Sequence, residues 1–137
     1  MSEKPFNCVV LADRHHGLTE GVRGLLETAF GSVVMVADEA SLIEGAGRLQ
    51  PDMAVVDLSL AQHRNLDWLH ALRHDCPDLK VIVLSVHDEQ SVRDAVMRAG
   101  ADAFVLKRAI ATDLLGVVDA LRRDPCTVAA HQDKDQP

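Results

Sequence analysis

Aromatic side chains are almost missing from this chain: it has no tyrosine, one tryptophan and three phenylalanines. A core that cannot lean on rings must be built from Val, Leu, Ile and Ala, close-packed in layers. Cationic side chains are also in deficit, with 14 Lys and Arg against 21 Asp and Glu and a net charge of −7. That balance is a poor platform for nucleic-acid binding, whose affinity comes from cations that neutralise phosphates. The three cysteines, Cys8, Cys76 and Cys126, are odd in number and scattered. They argue against a disulfide framework and fit a reducing compartment. No apolar run approaches the length of a membrane span, and "MSEKPFN" carries no signal-like apolar stretch. A cytoplasmic location without membrane association is therefore expected. A glycine-rich phosphate loop is lacking too, since "GAG" at 45–47 lies inside a helical stripe. A tightly held nucleotide is not expected.

What is present is punctuated regularly. Four short runs rich in β-branched residues stand out: "NCVVLAD" (7–13), "MAVVDL" (53–58), "KVIVLS" (80–85) and "AFVLK" (103–107). A fifth, "SVVMVA" (32–37), is weaker. Continuous rather than alternating apolar runs are the signature of strands covered on both faces, as in parallel sheets. Between them lie one-sided helical stripes, such as Val22, Leu25, Leu26 and Ala29, or Leu114, Val117, Val118 and Leu121. Gly31 and Gly100 fall where a left-handed residue ends a helix, and Asp38 and Asp88 where an N-cap begins one. Residues 124–137, "DPCTVAAHQDKDQP", lack an apolar period and read as a mobile polar tail behind a domain at 1–123. Strict βα alternation predicts a three-layer α/β/α sandwich, doubly wound, with right-handed crossovers. In such sheets chemistry collects at the carboxyl ends of the strands.

Those ends carry a consistent set. The first run ends on Asp13 and Arg14, the third on Asp57, the fourth on Ser85 and the fifth on Lys107. If the strands are parallel, these side chains share one crevice. A carboxylate there can act as a nucleophile, and a cation and a hydroxyl can meet the oxygens of a transferring phosphoryl group. Mg²⁺ bound by the carboxylates would supply further charge.

"PDMAVVDLSL", "VIVLSVHDE" and "AGADAFVLKRA", in this order after the first strand, resemble the receiver domains of two-component response regulators. The resemblance covers roughly residues 6–122, and its wording is closest to NarL/FixJ/LuxR-type regulators, whose receivers are joined to helix-turn-helix DNA-binding domains. It implies a CheY-like, flavodoxin-like (βα)5 fold with a five-stranded parallel sheet of order 2-1-3-4-5. It implies that Asp57 accepts a phosphoryl group from a sensor histidine kinase or phosphotransfer protein. Asp13, Asp57 and the backbone carbonyl of Ser59 would hold Mg²⁺, and Lys107 would contact the acyl phosphate. Ser85 and Phe104 would be the switch residues, altering the face at residues 88–122. Such a domain is a signalling module, with at most slow Mg²⁺-dependent autophosphorylation and autodephosphorylation. A homodimer is left open, and DNA would be reached only through a second domain absent from this chain.

The chain departs from the family at Arg14, where a second acid that binds Mg²⁺ directly usually stands. A unit-charge pair at about 6 Å is worth roughly 3 kcal/mol at an effective dielectric near 20. Replacing −1 by +1 beside a divalent ion multiplies that by about four before screening. Even a small surviving fraction costs ~10- to 1,000-fold in Mg²⁺ affinity, since about 1.4 kcal/mol is tenfold. Arg14 either leaves the crevice, or forks onto Asp57 or Asp13 and replaces the metal. Ala61 and Asn65 stand where the family often has Pro and Gly, which predicts a looser loop. The rival reading is a phosphorylation-independent pseudo-receiver that kept the fold as a protein-interaction module. A flavin-binding domain is disfavoured, because "DRHHG" has a single glycine. His70 and His74, spaced i,i+4, and the adjacent His15 and His16 bring no third ligand by spacing, so no zinc site is expected. His15 falls on the rim, where it would tune Asp13.

Overall fold

The five apolar runs become the five strands of one sheet in the computed structural model, which describes residues 8–14, 16–60 and 66–123. The strands are β1 (Cys8–Ala12), β2 (Ser32–Val36), β3 (Met53–Asp57), β4 (Lys80–Ser85) and β5 (Ala103–Leu106). All pairings are parallel, in the order β2-β1-β3-β4-β5. The helices alternate with them: α1 (His16–Glu27), α2 (Glu39–Leu49), α3 (Asp67–Asp75), α4 (Gln90–Arg98) and α5 (Ile110–Arg123). This is the expected (βα)5 arrangement. The proposed tail at 124–137 and the loop with Ala61 and Asn65 lie outside the described residues.

The two-residue period of a strand sorts each run onto two faces. Val10, Ala12, Ala54, Val56, Val81 and Val83 pack under Leu42 and Ala46 of α2, Trp68, Leu69 and Leu72 of α3, and Val96 of α4. Val9, Leu11, Val55, Ile82 and Leu84 pack under Val22 and Leu26 of α1 and Leu114, Val118 and Leu121 of α5. Each fully buried Leu or Val contributes about 1.5–3 kcal/mol. The edge strand β2 is only half-buried, which is why its run reads more weakly.

The amino ends of the strands are stapled by two aspartates. Asp52, before β3, accepts the Cys8 N–H at 3.2 Å, and Asp102, before β5, accepts the Val81 N–H at 2.8 Å. Arg73, in the last turn of α3, joins this end together. It donates to the carbonyls of Gly100 (2.7 Å), Leu79 (2.5 Å) and Pro77 (3.2 Å) and to Asp102 Oδ2 (2.7 Å). Gly100 has φ +124°, and a β-carbon there would meet the Arg73 side chain at 3.6 Å.

Capping follows the expectation at Asp38, whose side chain accepts the Ser41 N–H at 2.8 Å. Asp88 differs: Glu89 occupies the N-cap of α4, and Asp88 instead pairs with Arg108 at 3.1 Å. The left-handed residue after α2 is Gln50 (φ 50°), and Gly31 has no positive φ.

Candidate functional site

The sheet reverses its order of growth at β1, which pairs with both β2 and β3. The crevice outside the carboxyl ends of β1 and β3 is therefore the place where a site is expected. A cavity of about 960 Å³ opens there. Its polar side carries Arg14, Asp57, Ser59, Ser85 and Lys107, and its apolar side Leu66, Val92 and Val96.

Asp57 closes β3 and is 1% exposed. One oxygen, Oδ1, accepts the Ser59 N–H at 3.0 Å, from the short 3-10 turn Leu58–Leu60. The other, Oδ2, takes the Lys107 ammonium at 2.5 Å. Asp13, the first residue past β1, is 5% exposed and shares a side-chain hydrogen bond with Asp57. Burial alone would raise the Asp57 carboxyl; Lys107, the Ser59 N–H and Asp13 outweigh it and hold the group below its ordinary value. Asp57 is thus kept as a carboxylate, the form able to attack.

Ser85 closes β4 and is buried, but its hydroxyl is turned to its own loop. It accepts the His87 N–H at 2.9 Å and lies 3.3 Å from the His87 carbonyl. Phe104 on β5 points inward, 9% exposed, within the core under α4. The Arg93 guanidinium of α4 lies over its ring, 4.8 Å from the centroid.

Arg14 is exposed on the cavity rim and makes no hydrogen bond or ion pair with a described residue. It is not forked onto Asp13 or Asp57. Among the described residues no three His, Cys, Asp or Glu side chains converge as a metal site. Two carboxylates with a guanidinium on the rim form a poor donor set for a divalent cation. His70 and His74 are exposed on α3 and belong to no such group; His15 lies outside the described residues.

The model of the response regulator receiver domain matches residues 9–119. The chain belongs to that family. This receiver is 41% identical over 105 residues to the nitrate/nitrite response regulator NarP of Escherichia coli K12, covering 75% of this chain and 48% of the relative. It is 30% identical over 112 residues to the transcriptional regulatory protein DegU of Brevibacillus brevis, again covering 48% of the relative and 80% of this chain. The receiver spans about half the length of these curated relatives. Among solved structures, the receiver domain of NarL from Mycobacterium tuberculosis matches with a TM-score of 0.75 at 27% identity, over 87% of this chain and 98% of that one. The RcsB response regulator of Salmonella typhimurium matches at 0.76 and 26%, over 87% and 61%. A receiver of this family works by phosphorylation-based signalling, commonly with Mg²⁺ and a histidine kinase or phosphotransfer partner. It is not an enzyme beyond slow self-phosphorylation and self-dephosphorylation. No described helix of this receiver is long and apolar enough to cross a membrane.

Sequence reasoning located Asp13, Asp57, Ser85 and Lys107 from the run ends, and all four lie at one edge of the sheet. It missed the Arg93 lid on Phe104 and the Asp88–Arg108 pair. Both join residues far apart in the chain, and neither leaves a periodic signal.

Proposed function

We propose that Asp57 is the phosphoacceptor of a two-component signalling receiver, taking its phosphoryl group from a histidine kinase or phosphotransfer protein. The observation that carries this reading is a buried carboxylate at a strand tip, held ionised and gripped by Lys107. An Asp57 oxygen attacks phosphorus, and the leaving group departs on the opposite side. Lys107, on Asp57 Oδ2 before transfer, contacts the phosphoryl oxygens after it. Ser85 leaves His87 for a phosphoryl oxygen, and Phe104 moves with the loop that follows β4. Asp13, Asp57 and the Ser59 carbonyl are the groups that would hold Mg²⁺, which would supply positive charge at those oxygens, and Arg14 would weaken that site.

The receiver body is residues 1–123, and the protein works in the cytoplasm. Its output is inferred from relatives such as the transcriptional regulatory protein DegU, of which the matched span covers about half. DNA would be reached through a second domain, and homodimerisation would couple the two.

Incubation with acetyl phosphate and Mg²⁺ followed by intact-mass measurement tests the reading. One added phosphate, abolished by Asp57→Asn, is the expected result. A second reading, a pseudo-receiver acting by protein contact alone, draws on Arg14 at the metal position and predicts no mass gain from any phosphodonor.

A further inference from the structure

Two cations line the cavity over Asp57, and they are not equivalent. Lys107 is already engaged with Asp57 Oδ2. Arg14 is exposed on the same wall and has no partner among the described residues. Its place is set by strand register. Ala12 lies beside Val56 in the β1–β3 ladder. Arg14 follows two residues further on, past the end of the ladder, and lines the same cavity as Asp57 and Leu58. Adjacent strands are about 4.8 Å apart, and an arginine stem reaches further than that.

Charge decides what such a residue does. The phosphoryl group of an acyl phosphate carries a charge of about −2 at neutral pH, while Asp57 gives up its own −1 in forming it. The two fixed cations, Lys107 and Arg14, match it. A divalent cation added to the same pocket would face two carboxylates and two cations, without a third acid among the described residues. The guanidinium also presents planar paired donors that suit phosphoryl oxygens, a geometry an ammonium lacks.

We propose that Arg14 takes the place of the divalent cation at the phosphoryl group, so that Asp57 accepts phosphate without metal. The inference rests on Asp57 being the phosphoacceptor. With acetyl phosphate as donor, the bond from an Asp57 oxygen to phosphorus forms while the bond from phosphorus to the acetyl oxygen breaks. Acetate leaves with the electron pair, and no proton or oxidant is needed. Lys107 and Arg14 hold the equatorial oxygens from two sides as negative charge passes to the leaving group.

The experiment is intact-mass measurement after acetyl phosphate, in EDTA and in Mg²⁺, on the full chain and on Arg14→Ala, Arg14→Asp and Asp57→Asn. In EDTA the native chain is expected to gain one phosphate at a rate comparable to that in Mg²⁺. Arg14→Ala should slow labelling in EDTA by about 100-fold, the usual loss for one transition-state donor. Arg14→Asp should label only in Mg²⁺. A parallel Mg²⁺ titration, followed by the amide shifts of Leu58 and Ser59 without any phosphodonor, should saturate in Arg14→Asp and not in the native chain. Arg14 is exposed, so these variants fold, and far-UV circular dichroism checks it. Labelling of the native chain only in Mg²⁺ overturns the role of Arg14 and leaves Asp57 as phosphoacceptor. Equal labelling of Arg14→Ala and native chain in EDTA overturns it likewise, as does equal Mg²⁺ affinity in native chain and Arg14→Asp. No labelling of the native chain in either condition overturns both readings.

Discussion

Lys107 meets Asp57 across a strand that lies between them. β3 and β5 do not pair; β4 separates them. The two strand tips are therefore about 10 Å apart, two inter-strand spacings, and only the length of the lysine stem closes the gap to 2.5 Å. The ion pair straps three strands at their carboxyl ends.

Removing the strap leaves a buried carboxylate without its cation. Lys107→Met should destabilise the receiver by about 1–3 kcal/mol at pH 7, below the usual cost of breaking a fully buried pair because the lysine is partly exposed. Urea unfolding of the two proteins checks it. Lys107→Met, Asp57→Asn should recover much of the loss, because no uncompensated charge remains.

The same pair sets an acid limit. The Asp57 carboxyl is held below its ordinary value of 3.8 in the folded state. A depressed folded value means that its stabilisation is present above the unfolded value and disappears as pH falls through the folded one. The stability difference between the native chain and Asp57→Asn should therefore be constant from pH 7 to about 5 and shift against the native chain below about 4. Denaturant titrations at stepped pH would read it.

Ser85 is committed to His87 in this state, so the hydroxyl must let go before it can serve a phosphoryl group. Phosphorylation of the native chain is expected to move the His87 amide resonance strongly. In Ser85→Ala the acceptor is already gone, and labelling at Asp57 should leave that resonance nearly still.

Arg93 covers one face of Phe104. Its contribution should be about 0.5–2 kcal/mol, the range from exposed to desolvated cation–π contacts. Arg93→Ala should lower stability by that amount, and Arg93→Lys by less. Thermal unfolding of the three proteins would separate them.

At the opposite edge, Gly100 stands at φ +124° beside Arg73. Gly100→Ala should cost about 1–3 kcal/mol from backbone strain alone, since the ordinary contact its β-carbon would make with Arg73 does not relieve a positive φ. Arg73→Lys should fail to restore what Arg73→Ala loses, because an ammonium cannot reach four separated acceptors at once.

Much of this was legible in the residues. Strands buried on both faces read as unbroken apolar runs, so β1, β3, β4 and β5 declared themselves, and their last residues named Asp57, Ser85 and Lys107. β2 was fainter because none of its residues is fully buried, unlike those at the centre of the other edge strand, β5. Asp88 misled: an acid one turn before a helical stripe reads as a cap, yet its carboxylate finds Arg108 twenty positions away. Local pattern cannot see such a partner. Arg93 was hidden for the same reason, since a cation inside the α4 stripe looks solvated until β5 brings Phe104 beneath it. The direction taken by Arg14 depends on an unbranched chain with many rotamers, which no spacing encodes.

The Arg73 clamp gives the molecule a bolted end and an adjustable end. Around Arg73, loops are fastened by several bonds through one side chain, so grafts or reporter tags there would wreck the scaffold. Around Ser85, the chain is held by its local contacts with His87 and by the exposed Asp88–Arg108 pair, and a sensor engineered from this protein should carry its dye between Val86 and Glu89.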